Sequence, residues 1–338
     1  SAAREAVGGQ LISLHVCMDK DTYKNSIRVM TPGTPYFGVR EPAIVGALYG
    51  HYEAGLEVIK DLDTFDAGKV EALASDHCTI DIRWDLQTMG IYIEAIAKTT
   101  NGIGHAIVAQ GHDRIVLLEA NGKTLFVDKT YSETDSSFEK KRVIREYSLK
   151  DLYDFSLEAD IASLGFLKEA LEKNRALAEL GLKNASGAGI GAGFQKLSGQ
   201  SYINRAKYLA AAASDARMAG ETLPAMSCAG SGNVGITASV PLISVAEDKG
   251  KSEEDLLRAL ALSYLVTIMA KAHIGRLSPV CACAMAASLG IGCGTCLMLG
   301  GSFEQLEYTV ANIIGSTGGI LCDGAKFGCA LKLGYAVG

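Results

Sequence analysis

Between residues 11 and 130, apolar and polar side chains alternate with a period of two, the pattern of half-buried β-strands. The alternation covers 11–16, 79–84, 90–95, 104–111, 114–119 and 124–127, with His112-Asp113 and the turn Asn121-Gly122 separating the last three runs. Connections this short join antiparallel neighbours. Behind Pro42, the residues Ala43, Val45, Leu48, Tyr49, Tyr52, Leu56 and Ile59 recur near helical spacing, which predicts a helix over 42–60. The first part of the chain is therefore expected to be an α+β domain on an antiparallel sheet.

The pattern changes after a cluster of charges, Glu139, Lys140, Lys141, Arg142, Arg145 and Glu146, which reads as a solvated connection. Beyond it the apolar positions follow helical spacing: Leu164, Leu167 and Leu171, then Leu177, Leu180 and Leu182, later Leu256, Leu257, Leu260 and Tyr264. The expected organisation is an α+β domain over 1–148 and an all-helical domain over 149–338. From residue 271 onward the strong charges are confined to Lys271, Arg276, Glu304, Glu307, Asp323, Lys326 and Lys332, as in a segment that is buried or surrounds a cofactor. Its uncharged run over 277–301 is long enough to span a membrane, but Pro279 and the scattered Gly, Ser, Thr and Cys make a buried segment the better reading, so no membrane partner is expected.

Composition narrows the function. A length of 338 residues suits two domains, and 48% hydrophobic with 21% charged residues is ordinary globular usage. The net charge is -6 and no basic stripe is present, which argues against nucleic acid as a partner. Glycine, at 38 residues, exceeds the average of ~7%, while aromatics are only 7%, so backbone approaching a small ligand is expected. Nine cysteines, an odd number without a signal-peptide pattern, fit a reducing cytoplasm better than a disulfide framework. A homo-oligomer is compatible with all of this.

Six of the nine cysteines, Cys281, Cys283, Cys293, Cys296, Cys322 and Cys329, lie in the charge-poor region. Any one of them could be a small packing residue, but the cluster raises three functional readings: zinc, a redox pair or an iron-sulfur centre. Cys293-Gly-Thr-Cys296 has CxxC spacing without a preceding strand or a second ligand pair nearby. On an uninterrupted helix Cys322 and Cys329 would share a face about 10.5 Å apart, a gap that Gly324 and Gly328 can relieve by starting a helix between them. Ser227-Cys-Ala-Gly-Ser-Gly-Asn233 precedes an apolar helix from Ile236, so its amides could hold a carboxylate, or it is a turn with Asn233 as N-cap. Gly187-Ala-Gly-Ile-Gly-Ala-Gly193 lacks both a preceding strand and a P-loop ending and reads as a flexible linker. Lys271 and Arg276, cations in an apolar setting, are either structural ion pairs or carboxylate clamps. His112 sits in a hairpin turn and faces solvent or a ligand.

The motifs Ser227-Cys-Ala-Gly-Ser-Gly-Asn-Val-Gly-Ile-Thr237, Ile274-Gly-Arg-Leu-Ser-Pro-Val-Cys281, Leu299-Gly-Gly-Ser-Phe-Glu-Gln305 and Ile320-Leu-Cys-Asp-Gly-Ala-Lys326 together resemble the iron-sulfur L-cysteine desulfidase family, relatives of the L-serine dehydratase alpha chain. The resemblance extends more loosely to Tyr23-Lys24-Asn25, Pro32-Gly33-Thr34, Gly55-Leu56-Glu57 and the His112 turn. It implies an oxygen-sensitive [4Fe-4S] cluster held by three cysteines, with the fourth iron open to substrate, and no pyridoxal phosphate. Carried over, the ligands are Cys322, Cys329 and Cys281, with Cys283 in place of Cys281 if the serine dehydratases are the guide. The implied reaction converts L-cysteine to pyruvate, ammonia and hydrogen sulfide; L-serine dehydration is the alternative. Ser231 and Asn233, with neighbouring amides, are the expected holders of the substrate carboxylate, and no general base is singled out. The family also carries an N-terminal Gly-Cys-Thr-Glu-Pro motif about 50 residues earlier and continues a similar length past the Cys322 motif, spans too long for ordinary loops. The closest likeness here, Gly38-Val-Arg-Glu-Pro42, has Val39 at the cysteine position. The chain is accordingly expected to be a fragment of a longer enzyme or an inactive remnant. A non-catalytic scaffold with zinc on Cys281, Cys283, Cys293 and Cys296 is the contrasting expectation.

Overall fold

The computed structural model describes residues 1–84, 91–132, 143–199, 201–275 and 277–338. The chain forms two compact units, Ser1–Phe138 and Glu139–Gly338, dividing earlier than the 148/149 boundary read from the sequence.

The first unit is α+β. Its strands are β1 (Leu11–Asp19), β2 (Cys78–Arg83), β3 (Tyr92–Thr99), β4 (Gly102–Ala109), β5 (Ile115–Ala120) and β6 (Lys123–Val127), in the sheet order β2-β1-β3-β4-β5-β6. β1, β3, β4, β5 and β6 pair antiparallel as expected, and Asn121 and Gly122 turn from β5 into β6 with φ of 52 and 75 degrees, as the tight hairpin requires. The sheet is nevertheless mixed rather than antiparallel: β2 runs parallel to β1, with Leu14 beside Cys78 and Asp19 beside Arg83. The reason lies in the connection, which carries α2 (Lys20–Ser26), α3 (Arg40–Tyr49) and α4 (Ala67–Asp76) and is long enough to return the chain to the same end of the sheet. With α1 (Ala2–Val7), α3 and α4 supply one side of a core made by Ala3, Ile44, Val45 and Val70 against Leu14, Val16, Met18, Ala97 and Ala106. The expected helix over 42–60 is shorter: α3 ends before Gly50, whose φ and ψ are extended, and only a 3₁₀ turn, Tyr52–Glu57, follows.

The second unit is helical: α5 (Leu149–Glu158), a 3₁₀ segment Ile161–Leu167, α6 (Lys168–Asn184), α7 (Ile190–Leu197), α8 (Tyr202–Met218), α9 (Gly232–Lys249), α10 (Glu253–Ile274), α11 (Ala286–Met298), α12 (Phe303–Thr317) and α13 (Gly328–Ala336). Capping boxes at Ser148/Asp151, Ser252/Asp255 and Ser302/Gln305 set the starts of α5, α10 and α12 by satisfying first-turn amides. The centre is α9, buried without interruption from Gly232 to Ala246, and α8, whose Ala210, Ala211, Ala212, Ala213 and Ala216 are fully enclosed. Such short side chains let α6, α7, α9 and α13 all pack on α8. α10 is long and apolar enough to cross a membrane by length and composition, and 56% of its apolar window is buried within the unit, where it packs on α9 and α11. The uncharged run 277–301 is broken into a loop followed by α11.

The glycine-rich stretch 187–193 is not a linker. It opens α7, and the Gly191 amide donates to Asp215 Oδ2 at 2.8 Å, tying that first turn to α8. Three nearby backbone donors offset the burial that pushes the Asp215 carboxyl up. A carboxylate at a helix start, encoded far away in the sequence, is invisible to a reading of local composition.

Candidate functional site

Two loops of the second unit meet in a single antiparallel bridge, Val280 opposite Leu321. The Cys281 amide donates to the Ile320 carbonyl at 2.9 Å and the Cys322 amide to the Pro279 carbonyl at 2.6 Å. These two backbone bonds place the Cys281 thiol within hydrogen-bonding contact of Cys322 on one side and Cys283 on the other. The chain over 322–327 is not helical, and α13 starts only at Gly328, so Cys329 lies in its first turn and its Sγ is 3.6 Å from the Gly324 carbonyl. Gly324 takes a φ of 95 degrees, which redirects the chain so that Cys329 comes back into electrostatic contact with Cys281 and Cys322. Four of the six clustered cysteines thus converge, with Cys281 and Cys329 buried and Cys283 and Cys322 partly exposed.

Charged groups surround the thiols. Lys332, one turn along α13, donates to the Leu321 carbonyl at 3.0 Å and pairs with Asp323, which also pairs with Lys326. Burial works against the Lys332 charge, but Asp323 together with Cys281 and Cys329 raises its affinity for the proton. Hydrogen bonding to Cys283, followed by burial, pushes the Cys281 thiol up, while contact with Cys322 lowers it; burial chiefly pushes up Cys329, with Lys326 and Lys332 acting the other way. From the side of α8 comes Arg217, whose guanidinium loses affinity for its proton through desolvation and regains some from Cys283 and Cys329. Arg217 Nη1 donates to Asn233 Oδ1 at 3.2 Å.

The glycine-rich turn before α9 is built around Cys228 and Ser231, which exchange two backbone hydrogen bonds, Cys228 amide to Ser231 carbonyl at 3.2 Å and the reverse at 3.1 Å. Helix α9 then starts at Gly232 with Ser231, not Asn233, at the cap position, and the Ser231 side chain makes no capping bond. Asn233 is only 3% exposed and its amide is committed to Arg217 and to Met218 Sδ, 3.7 Å away. Cys228 itself is buried with Val234, Ala238 and Ala287, beside Cys283, and burial pushes its thiol up to about 12, with Lys271 opposing. Asn233, in the first turn of α9, is linked to the thiols by way of Arg217, and Ser231 precedes it at the cap position.

The other sequence candidates go elsewhere. Cys293 is fully buried on α11 among Leu152, Leu262, Leu289 and Leu306, its thiol pushed up to about 12 by burial and by Cys296. Cys296 lines a cavity of about 690 Å³ with Tyr202, Ile291, Thr295 and Thr309, to which Cys281, Cys283, Cys322 and Cys329 do not contribute. The four thiols posited for zinc are not gathered. Lys271 is buried near the end of α10, in electrostatic contact with Cys228. Arg276 lies outside the described residues, as do Glu139, Lys140, Lys141 and Arg142. His112 is exposed at the β4–β5 connection of the first unit.

Sequence reasoning missed Arg217. Its signal was available: a strong base that ends an alanine-rich, deeply buried helix is as conspicuous as Lys271 or Arg276, but only the fold turns it toward cysteines more than 60 positions away.

Among the described residues no three His, Cys, Asp or Glu side chains are posed around one ion. That excludes little for a cuboidal cluster, whose thiolate ligands are separated by an iron-sulfur core rather than drawn onto a single metal. The soft donor set of Cys281, Cys322 and Cys329, with Cys283 adjacent and cations at its edge, fits such a group.

A helical unit with a cysteine-lined site between two bridged loops defines the class. Residues 57–338 match the serine dehydratase alpha chain family, which uses an iron-sulfur cluster. Within it, the chain is 36% identical to a UPF0597 protein of Clostridium tetani over all of its own length and 79% of the relative's, and 36% identical, with the same coverage, to one from Caldanaerobacter subterraneus. A UPF0597 protein of Desulfotalea psychrophila is 35% identical across the whole chain and 80% of the relative. The chain belongs to the UPF0597 family of serine dehydratase alpha-chain-like proteins. No solved structure matches it.

Proposed function

We propose that the protein is a pyridoxal-phosphate-independent lyase that carries out α,β-elimination on a small L-amino acid through a [4Fe-4S] cluster, with L-cysteine as substrate and pyruvate, ammonia and hydrogen sulfide as products. The observation that carries this reading is the convergence of Cys281 and Cys322, from two bridged loops, with Cys329 from the first turn of α13, beside a guanidinium on α8. Cys281, Cys322 and Cys329 would hold the cluster, and Cys283 stands as the alternative to Cys281. When bound, the cluster supplies an open iron that serves as a Lewis acid toward the departing β-substituent.

The chain's own groups prepare that site. The Val280–Leu321 bridge sets the spacing of Cys281 and Cys322 before any metal arrives, so less ordering cost falls on binding. Lys332 places positive charge beside thiols that must be deprotonated to act as ligands. The Ser231 hydroxyl, which makes no capping bond, and the amides at the start of α9 offer donors to a carboxylate. Elimination breaks the Cα–H and Cβ–S bonds, the proton passing to a base and the electron pair leaving with sulfur; water then converts the resulting enamine to pyruvate and ammonia.

The match to the serine dehydratase alpha chain favours a second reading, L-serine dehydration, in which a hydroxyl leaves in place of the thiol. Anaerobic reconstitution with iron and sulfide, followed by pyruvate and sulfide assays, tests both. Release of sulfide from L-cysteine supports the first; turnover of L-serine with L-cysteine untouched transfers the assignment to the second. Full cluster loading without turnover of either overturns the lyase reading.

A further inference from the structure

The Arg217 side chain is a cation set in the second unit with an uncharged hydrogen-bond partner, Asn233. Among the described residues no carboxylate pairs with it. The residue is partly exposed, while its guanidinium is desolvated enough that its charge is disfavoured. A cation held in this way gains most from an anion that arrives with two oxygens in one plane, the geometry that a guanidinium fork matches. Its position is enforced from two sides. Asn233, itself buried, accepts from Nη1 and leaves the rest of the fork uncommitted to that residue. Gly232, at the first position of α9, makes room: a Cβ there would lie 2.9 Å from Cζ and 3.0 Å from Cδ of Arg217. The guanidinium thus packs against the start of α9 and is in electrostatic contact with the thiols of Cys283 and Cys329.

We propose that Arg217 is the receptor for the α-carboxylate of the amino-acid substrate, with Asn233 as the residue that orients it and Gly232 as the residue that admits it. This rests on the reading of the site as one for an α-amino acid and names the group that recognises the acid. A carboxylate held on Arg217 would lie beside the thiol cluster, because the same guanidinium is in electrostatic contact with Cys283 and Cys329. The competing role is charge compensation of the thiolates, which would show in metal content rather than in ligand choice.

The test compares L-alanine, which has the carboxylate and amine but no leaving group, with L-alaninamide, which lacks the negative charge, by calorimetric titration of the anaerobically reconstituted full chain. Wild type is expected to bind L-alanine at least about tenfold more tightly than the amide, a typical margin for a charge-assisted bidentate contact. Arg217→Gln is expected to erase that preference with iron and acid-labile sulfide unchanged. Gly232→Ala, which keeps every polar group but displaces the guanidinium, provides a second route and is expected to reduce the preference in the same direction. Millimolar guanidinium is expected to restore it in Arg217→Ala. A preference that survives in both Arg217→Gln and Gly232→Ala overturns the proposal, as does loss of iron in step with loss of binding, or failure of the wild type to bind L-alanine. A wild type that prefers the carboxylate but turns over neither L-cysteine nor L-serine leaves the receptor standing and overturns the lyase reading instead.

Discussion

Val280 and Leu321 face each other across one antiparallel bridge, and that contact brings Cys281 and Cys322 together from positions about 40 residues apart, the Cys322 amide reaching the Pro279 carbonyl at 2.6 Å. Neither cysteine is placed by its own helix. The bridge belongs to the backbone, so the two thiols should stay in register even when one is changed.

Cys281→Ser, Cys322→Ser and Cys329→Ser are each expected to lower iron content sharply, since a hard oxygen donor replaces a soft thiolate. Cys293→Ser and Cys296→Ser should keep their iron, and the former should cost about 1 kcal/mol of stability from a buried hydroxyl. Iron and acid-labile sulfide analysis of the five variants checks this; loss of the cluster in Cys293→Ser with retention in Cys329→Ser would move the site to α11.

Thiol reactivity in the metal-free chain should separate the same groups. Burial raises Cys228 and Cys293 to about 12, so at pH 8 very little thiolate is present and neither is accessible. Both should resist iodoacetamide until the protein unfolds, whereas the partly exposed Cys283 and Cys322 should be modified in the folded state. Mass-spectrometric mapping after a short pulse reads the order, and early labelling of Cys293 would contradict its packing.

Acid should loosen the loop that carries Cys322. Burial tends to raise the Asp323 carboxyl, but hydrogen bonds from Lys326 and Lys332 prevail and bring it from 3.8 down to about 2. A depressed carboxylate contributes stability that is present above its unfolded value and disappears as the pH falls through the folded one. The Asp323 contribution is therefore expected to vanish between 3.8 and about 2, and Asp323→Asn should flatten the acid limb of a stability profile across that window. Because the side chain is 50% exposed, the effect should be small and weakened by salt. An unchanged acid limb would argue against the ion pairs.

Asn174 should be a sensitive core position. Its amide nitrogen donates to Ser239 Oγ at 2.9 Å and its oxygen accepts from the Met226 amide at 2.9 Å, which ties α6 to the segment leading into the Cys228 turn. Asn174→Leu leaves the partly buried Met226 amide and the buried Ser239 hydroxyl without this partner and should destabilise the chain by about 1–3 kcal/mol. Urea denaturation measures it, and a loss under about 0.5 kcal/mol would mean that the bonds are replaced by water.

The sequence by itself determined the local elements and the chemical inventory. Period-two alternation marked the strands of the first unit, and the Asn121-Gly122 turn was legible because only a few residue types accept positive φ. The clustered cysteines and the motifs around Cys228, Cys281 and Cys322 carried the family resemblance. What the tertiary structure alone decided is direction and convergence. Strand β2 runs parallel to β1 because a long helical connection returns the chain, a fact that alternation cannot encode, since period two is the same for both directions. The stretch 187–193 becomes the start of a helix because Asp215, on another helix, meets its amides. Arg217 joins the thiols because the alanine face of α8 lets its neighbours approach closely, and Gly232 leaves space where any side chain would collide. Residue type and spacing follow from covalent order; which distant groups share a site follows from how short side chains allow helices to pack.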